Sequence, residues 1–225
     1  NLLTIINDIL DFSKAEAGGM SLEETEFHLP EVLRNVADLV SQSAQDKGLE
    51  LILDLDPTLP EYFVGDPLRL GQAVLNYASN AVKFTERGQI VLRVRAVSED
   101  GETALLRIDV QDTGIGLSPD QQARLFRSFS QADGSTTRLH GGTGLGLVIT
   151  KHIAELMAGE VGVSSRVGEG SDFWFTARLG LGSPEKIITR PSVDLHGCRV
   201  LVVDDNEAAA LVLSELLMEL GFAVQ

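Results

Sequence analysis

The stretch from Gly141 to Leu147, which reads Gly-Gly-Thr-Gly-Leu-Gly-Leu, is the feature that most constrains this chain. Four glycines fall within seven residues, and an apolar helical pattern follows them directly. Because glycine lacks a Cβ atom, its backbone reaches positive φ easily and its N–H group can approach an anion closely. A helix beginning near Gly144 would point its unpaired N–H groups and the positive end of its dipole at the same place. The stretch therefore indicates a phosphate-binding loop, although glycine-rich loops without a ligand are also common.

Composition restricts the class of protein further. The chain has 225 residues, of which 44% are hydrophobic and 23% charged, which is enough for one or two domains with a real core. Its net charge of −15 disfavours nucleic-acid binding, because a phosphate backbone would be repelled. The single cysteine, Cys198, excludes an internal disulfide framework and fits a reducing, cytosolic setting, and no Cys/His cluster has metal-ligand spacing. No apolar run approaches the roughly 20 residues that span a bilayer, and no signal-peptide pattern is present.

The first residues read as part of a helix with a broad apolar stripe. Residues 1–17 place leucine, isoleucine and phenylalanine at helical spacing, and Gly18-Gly19 supplies a left-handed stop. We expect a missing helix or a second chain to cover the stripe, with packing on the following domain as the alternative. Since the chain begins within this pattern and ends where a new strand begins, we expect it to be a fragment of a longer protein.

Proline, glycine and capping residues divide the rest of the chain into short elements. The predicted helices cover residues 30–47, 67–84, a short stretch from 119, 145–156 and 207–220, and the predicted strands cover residues 49–55, 89–98, 103–111, 160–165, 171–179 and 199–203. Asp66 and Pro67 form the start signal of the second helix, which we expect to bury Leu68 and Val82 among others. Residues 180–197, with two prolines and few large apolar side chains, resemble a linker.

The helix predicted over residues 67–84 carries polar side chains that could bind a nucleotide. Asn76 and Asn80 are one turn apart and Lys83 is three residues further on, so all three share one face. An amide oxygen is a suitable ligand for Mg²⁺, which prefers oxygen and keeps several waters and phosphate oxygens. The lysine would offset phosphate charge. The alternative is a solvated helix face, which fits poorly with the apolar Ala81 and Val82 beside these residues.

A second polar group, Asp112-Thr113-Gly114-Ile115-Gly116, follows the strand predicted over residues 103–111. A partly buried carboxylate at the end of a strand can accept a hydrogen bond from an amino group such as the exocyclic amine of adenine. A charge-assisted bond of that kind is worth roughly 1.5–3 kcal/mol. Gly114 and Gly116 would let a base lie against the main chain. An ordinary Asp-x-Gly turn is the alternative.

Four such stretches, taken in order, resemble the catalytic ATP-binding domain of sensor histidine kinases. They are Asn76-x-x-x-Asn80-Ala81-Val82-Lys83-Phe84-Thr85, Asp112 to Gly116, Leu125-Phe126-x-x-Phe129-x-Gln131-Ala132-Asp133, and Gly141 to Leu147. The resemblance covers about residues 28–180. On either side, Asn7 to Lys14 resembles the second helix of the dimerisation and phosphoacceptor hairpin, and Val200 to Asn206 resembles the first strand of a receiver domain. That order is the layout of a hybrid histidine kinase.

This resemblance implies a fold and a division into parts. The expected fold is a two-layer α/β sandwich, in which a mixed sheet packs on three helices, preceded by a long helix and followed by a truncated flavodoxin-like receiver start. The hairpin helix would occupy residues 1–20 and the ATP-binding domain residues 21–180. A linker over 181–197 and the receiver fragment over 198–225 would complete the chain. We expect this fragment to be poorly ordered, because about 30 residues cannot bury a core of their own.

The resemblance also implies roles for individual residues. ATP and Mg²⁺ would be the cofactors, with Asn80 on the metal, Asn76 and Lys83 near the phosphates as the catalytic residues, and Asp112 on adenine. Residues 130–143 would form a lid. The remaining nucleotide-binding residues would be Gly114, Ile115, Gly116, Phe126, Gly142, Thr143, Gly144, Leu145, Gly146 and Leu147.

In the family the γ-phosphoryl group passes to a histidine on the first hairpin helix and then to a receiver aspartate. None of His28, His140, His152 and His196 lies in the expected motif, and Asp204 and Asp205 match only the metal-binding acidic pair of a receiver. The implied partners are a second copy of the chain through the hairpin, a receiver domain and a histidine phosphotransfer domain. The implied location is the cytoplasmic portion of an inner-membrane protein, with any membrane segment upstream.

Two positions depart from related patterns. Arg127-Ser128 stand where the family often has Glu-Pro, which concerns how the lid is anchored. At position 76, related gyrase, chaperone and mismatch-repair ATPases carry a glutamate that activates water, and an amide cannot act as that base. Asn76 therefore favours transfer to a protein acceptor over hydrolysis. The two alternatives to a kinase are a nucleotide-binding module that regulates a partner without transferring phosphate, and a hydrolysing ATPase.

Overall fold

The computed structural model describes residues 6, 9–14, 17–126, 144–183 and 197–225. Residues 9–14 are helical, and Gly18 adopts the left-handed conformation that ends the segment, with φ of +65°. Phe12 is partly buried against the main hydrophobic core, so the following domain covers part of the apolar stripe. Ile9 and Leu10 remain 49% and 53% exposed, so the cover expected for the rest of the stripe from a missing helix or a second chain stays a prediction.

Most of the elements that follow agree with the predicted ones, but the short strand over residues 62–65 was not predicted. They are β1 (Thr25–His28), α1 (Leu29–Asp46), β2 (Leu49–Leu55), β3 (Tyr62–Gly65), α2 (Pro67–Phe84), β4 (Gly88–Glu99), β5 (Thr103–Asp112), α3 (Pro119–Gln122), α4 (Gly146–Leu156), β6 (Val161–Arg166), β7 (Gly170–Leu181), β8 (Arg199–Val200), α5 (Glu207–Glu219) and β9 (Ala223–Val224). Local chemistry explains several of their ends. Asp66 caps α2 by accepting a 2.9 Å hydrogen bond from the Arg69 N–H, and Gly48 ends the turn after α1 with φ of +65°.

Seven strands form one mixed sheet in the order β1-β3-β7-β5-β4-β2, with β6 paired to β7. Only β2 and β4 run parallel among the described pairs of this sheet, and the others are antiparallel. The acidic turn between β4 and β5 is fixed by Asp100, which accepts hydrogen bonds from the N–H groups of Glu102 and Thr103. Strands β4 and β5 form one antiparallel hairpin in this way, and β6 and β7 form a second.

The core lies between one face of the sheet and the apolar faces of α1, α2 and α4. Leu33, Leu70 and Ile153 from the three helices and Leu92, Leu106, Ile108 and Phe175 from the sheet are fully buried there. This confirms the two-layer α/β sandwich. One predicted core residue was wrong: Leu68 is 75% exposed, because in the first turn of α2 it is Leu70 that faces the sheet.

The segment at the C-terminus has a different character. The strand predicted over residues 199–203 is reduced to Arg199–Val200, which pairs in parallel with Ala223–Val224. Asn206 caps α5 through its side-chain oxygen, which accepts from the N–H groups of Ala208 and Ala209. No residue of α5 is buried. Among the helices of the described ranges, none is both long and apolar enough to cross a membrane.

Candidate functional site

Helix α2 brings two of the predicted motifs into contact. Asn76 lies in the middle of the helix, and its Nδ2 donates a 2.9 Å hydrogen bond to Thr150 Oγ1 on α4. A Cβ atom at Gly146 would lie 2.2 Å from Asn76 Oδ1, so only glycine allows α4 to approach this closely. The glycine-rich stretch and the asparagine motif, which are 70 positions apart, therefore meet at one point of the molecule.

The start of α4 is anchored so that its N-terminus is well defined. Leu145 is buried in the core, and its carbonyl oxygen accepts the 2.9 Å hydrogen bond from the Ile149 N–H. Gly144 immediately before it has φ of +69°, a conformation that L-residues with side chains rarely adopt. The first N–H groups of a helix have no partner within the helix. This end of α4, beside Asn76, is therefore suited to an anion.

Asp112 ends β5 in a buried position. Its side chain is 6% exposed, and Oδ1 accepts a 2.8 Å hydrogen bond from the Gly114 N–H. Burial raises the pKa of the Asp112 carboxyl, against the opposing effect of hydrogen bonds from the Gly114 and Ser171 N–H groups and of the neighbouring Thr85 hydroxyl. The group is thus a desolvated acceptor that is held in place by the backbone beside it.

The turn that follows Asp112 is packed tightly against the end of α2. The Ile115 N–H donates a 3.4 Å hydrogen bond to Phe84 O, and a Cβ atom at Gly114 would lie 2.5 Å from that same oxygen. Gly116 has φ of +65°, and a Cβ atom there would lie 1.9 Å from Arg166 O. Both glycines of the motif are therefore required by close backbone contacts. The side chain of Ile115 remains 57% exposed.

The last turn of α2 carries Lys83, whose ammonium lies 4.9 Å from the centre of the Phe84 ring. Burial lowers the pKa of this lysine. Asn80, one turn earlier, is half-buried. The polar side chains Asn76, Asn80 and Lys83 therefore lie along the C-terminal half of α2. The start of α4 lies beside Asn76, and the Asp112 turn lies at the end of the helix.

The structure does not bring together every residue that the sequence singled out. Phe126 is half-buried at the end of a described range, and Gly142 and Thr143, together with the predicted lid over 130–143, lie outside the described residues. Asp204 and Asp205 are exposed, and within the described ranges no group of three or more His, Cys, Asp and Glu side chains could hold a metal. The metal-binding role of Asp204 and Asp205 therefore stays a prediction.

Thr150 and Lys47 escaped the sequence reasoning, and Thr85 was noted there only as the last residue of the first motif. Thr150 is a buried hydroxyl in an apolar helix and the partner of Asn76. Thr85 is fully buried beside Asp112. Lys47 donates to the backbone at the end of α2. The polar Thr150 within an apolar pattern was a usable signal, whereas the place of Lys47 depends on a contact that no spacing encodes.

The chain is similar in sequence to known proteins. Residues 65–181 match the family model described as histidine kinase-, DNA gyrase B- and HSP90-like ATPase. The chain is 45% identical over 220 residues to the signal transduction histidine-protein kinase BarA of Escherichia coli strain K12, an alignment that covers 97% of this chain and 24% of that protein. It is 41% identical over 204 residues to the hybrid signal transduction histidine kinase B of Dictyostelium discoideum, with 91% and 10% of the two chains covered.

A solved structure is similar over nearly the whole chain. The crystal structure of full-length ShkA in complex with AMPPNP superimposes with a TM-score of 0.81 at 33% sequence identity, which covers 99% of this chain and 44% of that one. The two-layer architecture is therefore shared with a known protein. The chain spans only 24%, 10% and 44% of the length of these three proteins.

Proposed function

Since the chain belongs to the family of histidine kinase-, DNA gyrase B- and HSP90-like ATPases, we propose that it is the ATP-binding catalytic core of a hybrid sensor histidine kinase. It would transfer the γ-phosphoryl group of ATP to a histidine and onward to a receiver aspartate. One observation carries this proposal: α2 contacts two motifs from distant parts of the sequence. Near its middle Asn76 lies against Gly146, and at its end Phe84 O accepts from the Ile115 N–H. The kinase names of the relatives and the AMPPNP complex of ShkA support it.

In this proposal the adenine end of ATP lies at the Asp112 turn. The desolvated carboxylate accepts from the amino group of adenine, and the close backbone at Gly114 and Gly116 leaves a surface on which the base can lie. Ile115, the exposed member of the turn, contacts the ligand. The triphosphate extends along α2 toward the start of α4, where Gly144 to Leu147 would contact it. Gly142, Thr143 and Phe126 are proposed as nucleotide-binding residues on the family resemblance.

The phosphate end uses neutral amides and one cation. Asn80 offers an amide oxygen of the kind that Mg²⁺ accepts, and the bound ion would supply charge neutralisation at the phosphates. Asn76, held by Thr150, and Lys83 orient the phosphates. Phosphoryl transfer requires mainly positioning and electrostatic stabilisation from the protein. Because an amide at position 76 cannot remove a proton from water, the site favours transfer to a protein acceptor over hydrolysis.

The same proposal places the chain within a larger assembly. The helical segment 9–14 is the end of the dimerisation hairpin, and residues 197–225 are the start of a receiver. We infer that the full protein is a homodimer through the hairpin, exchanges phosphate with receiver and histidine phosphotransfer domains, and lies on the cytoplasmic side of an inner membrane. Asp11 Oδ2 accepts hydrogen bonds from Arg69 Nη1 at 3.0 Å and from Gln72 Nε2 at 2.9 Å. These contacts support a defined position for the hairpin helix against α2.

The kinase reaction is tested on a longer protein that includes the first hairpin helix. With γ-labelled ATP and Mg²⁺ it should form an acid-labile, base-stable phosphoprotein. Release of free phosphate without phosphoprotein would favour the hydrolysing ATPase, and nucleotide binding without either product would favour a regulatory module.

The nucleotide site is tested by matched pairs of variants. Asn80→Asp and Asp112→Ala should abolish ATP binding, whereas Asn35→Asp and Asp38→Ala, both at exposed positions on α1, should not change it. Retained micromolar affinity in Asp112→Ala would count against the proposed adenine contact.

A further inference from the structure

Lys47, the residue directly after α1, extends its side chain to the C-terminal end of α2. Its Nζ donates hydrogen bonds to three backbone carbonyls, at 2.8 Å from Val82 O, 3.1 Å from Lys83 O and 3.0 Å from Thr85 O. The Lys47 side chain is 30% exposed. A carboxylate of Glu86 lies 3.9 Å away but is largely exposed, so the carbonyls are the principal partners.

This contact satisfies a requirement that every helix end creates. The last carbonyls of a helix have no partner within the helix, and they carry the negative end of its dipole. A lysine ammonium has three donors, and in Lys47 all three find carbonyl partners around the end of α2. One side chain thereby fixes both the last turn of α2 and the direction in which the chain leaves it.

The other side of the same turn forms part of the candidate site. Phe84 O accepts from the Ile115 N–H at 3.4 Å, and the buried Thr85 hydroxyl lies beside the Asp112 carboxyl. A Cβ atom at Gly114 would lie 2.9 Å from Thr85 Oγ1. Residues 82–85 are thus held between Lys47 on one side and the Asp112 turn on the other.

We propose that Lys47 is a positioning residue of the nucleotide site. By holding the carbonyls of residues 82–85, it sets the distance between the polar side chains of α2 and the carboxylate of Asp112. It acts through the backbone and contacts no part of the nucleotide. This inference rests on the proposed function, because it assigns Lys47 a role in nucleotide binding.

The test measures binding of AMPPNP with Mg²⁺, and separately of adenosine, to the full chain by titration calorimetry at a temperature far below unfolding. Lys47→Met keeps the length and the apolar stem of the side chain but removes all three donors. We expect about a tenfold loss of affinity for both ligands, which corresponds to roughly 1.4 kcal/mol, with the stoichiometry unchanged. Lys47→Arg, which retains donors and charge, should recover most of that affinity.

Two control variants separate this role from general effects of charge. Glu86→Gln removes the exposed partner of Lys47, and Lys151→Met removes a lysine that lies 3.8 Å from Glu155 on the surface of α4. Both should bind like the unchanged protein. If Lys47→Met is too unstable to titrate, Lys47→Gln provides the same comparison with a shorter neutral donor.

The binding data separate a positioning role of Lys47 from a purely structural one. If Lys47→Met and Lys47→Gln lower the thermal midpoint or the stoichiometry while the affinity stays unchanged, Lys47 is only a structural cap and the inference is overturned. An equal loss in Lys47→Arg and Lys47→Met would also overturn it. If the unchanged protein binds neither ligand, the proposed function fails and this inference fails with it.

Discussion

The sheet domain and the C-terminal segment 197–225 contain similar sequence patterns with very different results. In the sheet domain, apolar strands and amphipathic helices bury residues such as Leu106, Ile108 and Phe175 completely. In the segment, a predicted apolar strand shortens to two residues, and Leu201 and Val203 are 72% and 83% exposed. An apolar pattern therefore gives a core only where other elements supply a second layer.

Local signals nevertheless succeed in both regions. Asn206 caps α5 as Asp66 caps α2, and each helix begins directly after its cap. Capping and helix propensity act within a few residues, so they need no partner from elsewhere in the chain. Burial depends on how many elements are present, and about 30 residues provide too few.

The largest expected difference between the two regions is in amide hydrogen exchange. The amides of Leu106 and Ile108 should exchange only through global opening, which costs about 5–15 kcal/mol in typical domains. The amides of Leu201 to Val203 should exchange near the unprotected rate, because they lie in the segment without buried residues. Exchange measured by NMR or mass spectrometry checks this, and equal protection in both regions would contradict the comparison.

Truncation of apolar side chains should differ nearly as strongly. Phe175→Ala should lower the free energy of unfolding by about 3–5 kcal/mol, because it opens a cavity in the core. Leu213→Ala, at an exposed position on α5, should change it by less than about 0.5 kcal/mol. Urea unfolding followed by circular dichroism measures both. A similar loss from the α5 variant would show that the segment is covered in solution.

Acidification should act on the sheet domain through Asp112. Burial raises the pKa of Asp112, so the folded state favours the protonated carboxyl. The ionised group therefore lowers the free energy of unfolding at neutral pH, and this destabilisation is relieved as pH falls through the raised pKa. Adenine binding has the opposite dependence, because the ionised carboxylate accepts a stronger, charge-assisted hydrogen bond from the amino group than the protonated carboxyl does. Nucleotide affinity should therefore fall on acidification from a pH above the ordinary range of aspartate, by a factor that corresponds to about 1.5–3 kcal/mol.

The matched variant for this prediction is Asp112→Asn, which keeps the shape and an acceptor oxygen but cannot titrate. Its weaker affinity should be independent of pH between neutrality and the acid limit of folding. Titrations of a labelled adenine nucleotide across this range, followed by fluorescence anisotropy, make the measurement. A profile that is unchanged by the substitution would assign the titration to another group.

The smallest expected effect concerns the polar contact between the two regions. Asn206 Nδ2 donates a 2.6 Å hydrogen bond to Gln89 Oε1 on β4. Gln89→Ala should change global stability by no more than about 1 kcal/mol, because one such bond contributes little in net terms. Its effect should be confined to faster exchange in residues 197–225. A destabilisation of the sheet clearly larger than about 1 kcal/mol would mean that the two regions are coupled more strongly than their burial indicates.

Sequence patterns were sufficient for most of the fold because its boundaries are marked locally. Ends and starts of elements are marked by Gly48, by Asp66 with Pro67 and by the turn at Asp100, and the structure agrees with these boundaries. Leu68 was misplaced because helical spacing alone does not fix which of two leucines in a first turn faces the sheet. The strand over 199–203 was overestimated because its apolar residues have no layer to pack on.

The candidate site was predictable to a smaller extent. The motifs around Asn76 and Asp112 could be found because each contains residue types suited to a nucleotide, and their roles stay predictions. Their supporting contacts could not be found: Lys47 lies 35 to 38 positions from the carbonyls that it holds, and Thr150 lies 74 positions from Asn76. Contacts at such separations arise only when the layers assemble.

The position of β7 in the sheet has a consequence for synthesis of the protein on the ribosome. This strand is the last long one of the domain in the sequence, yet it lies between β3 and β5 in the sheet. Until residues 170–181 emerge, β1 with β3 and β5 with β4 and β2 are two separate groups with unpaired edges. The nascent chain therefore needs protection until nearly the whole domain has been translated, and a premature stop before β7 would release a truncated chain with two aggregation-prone groups of unpaired strands.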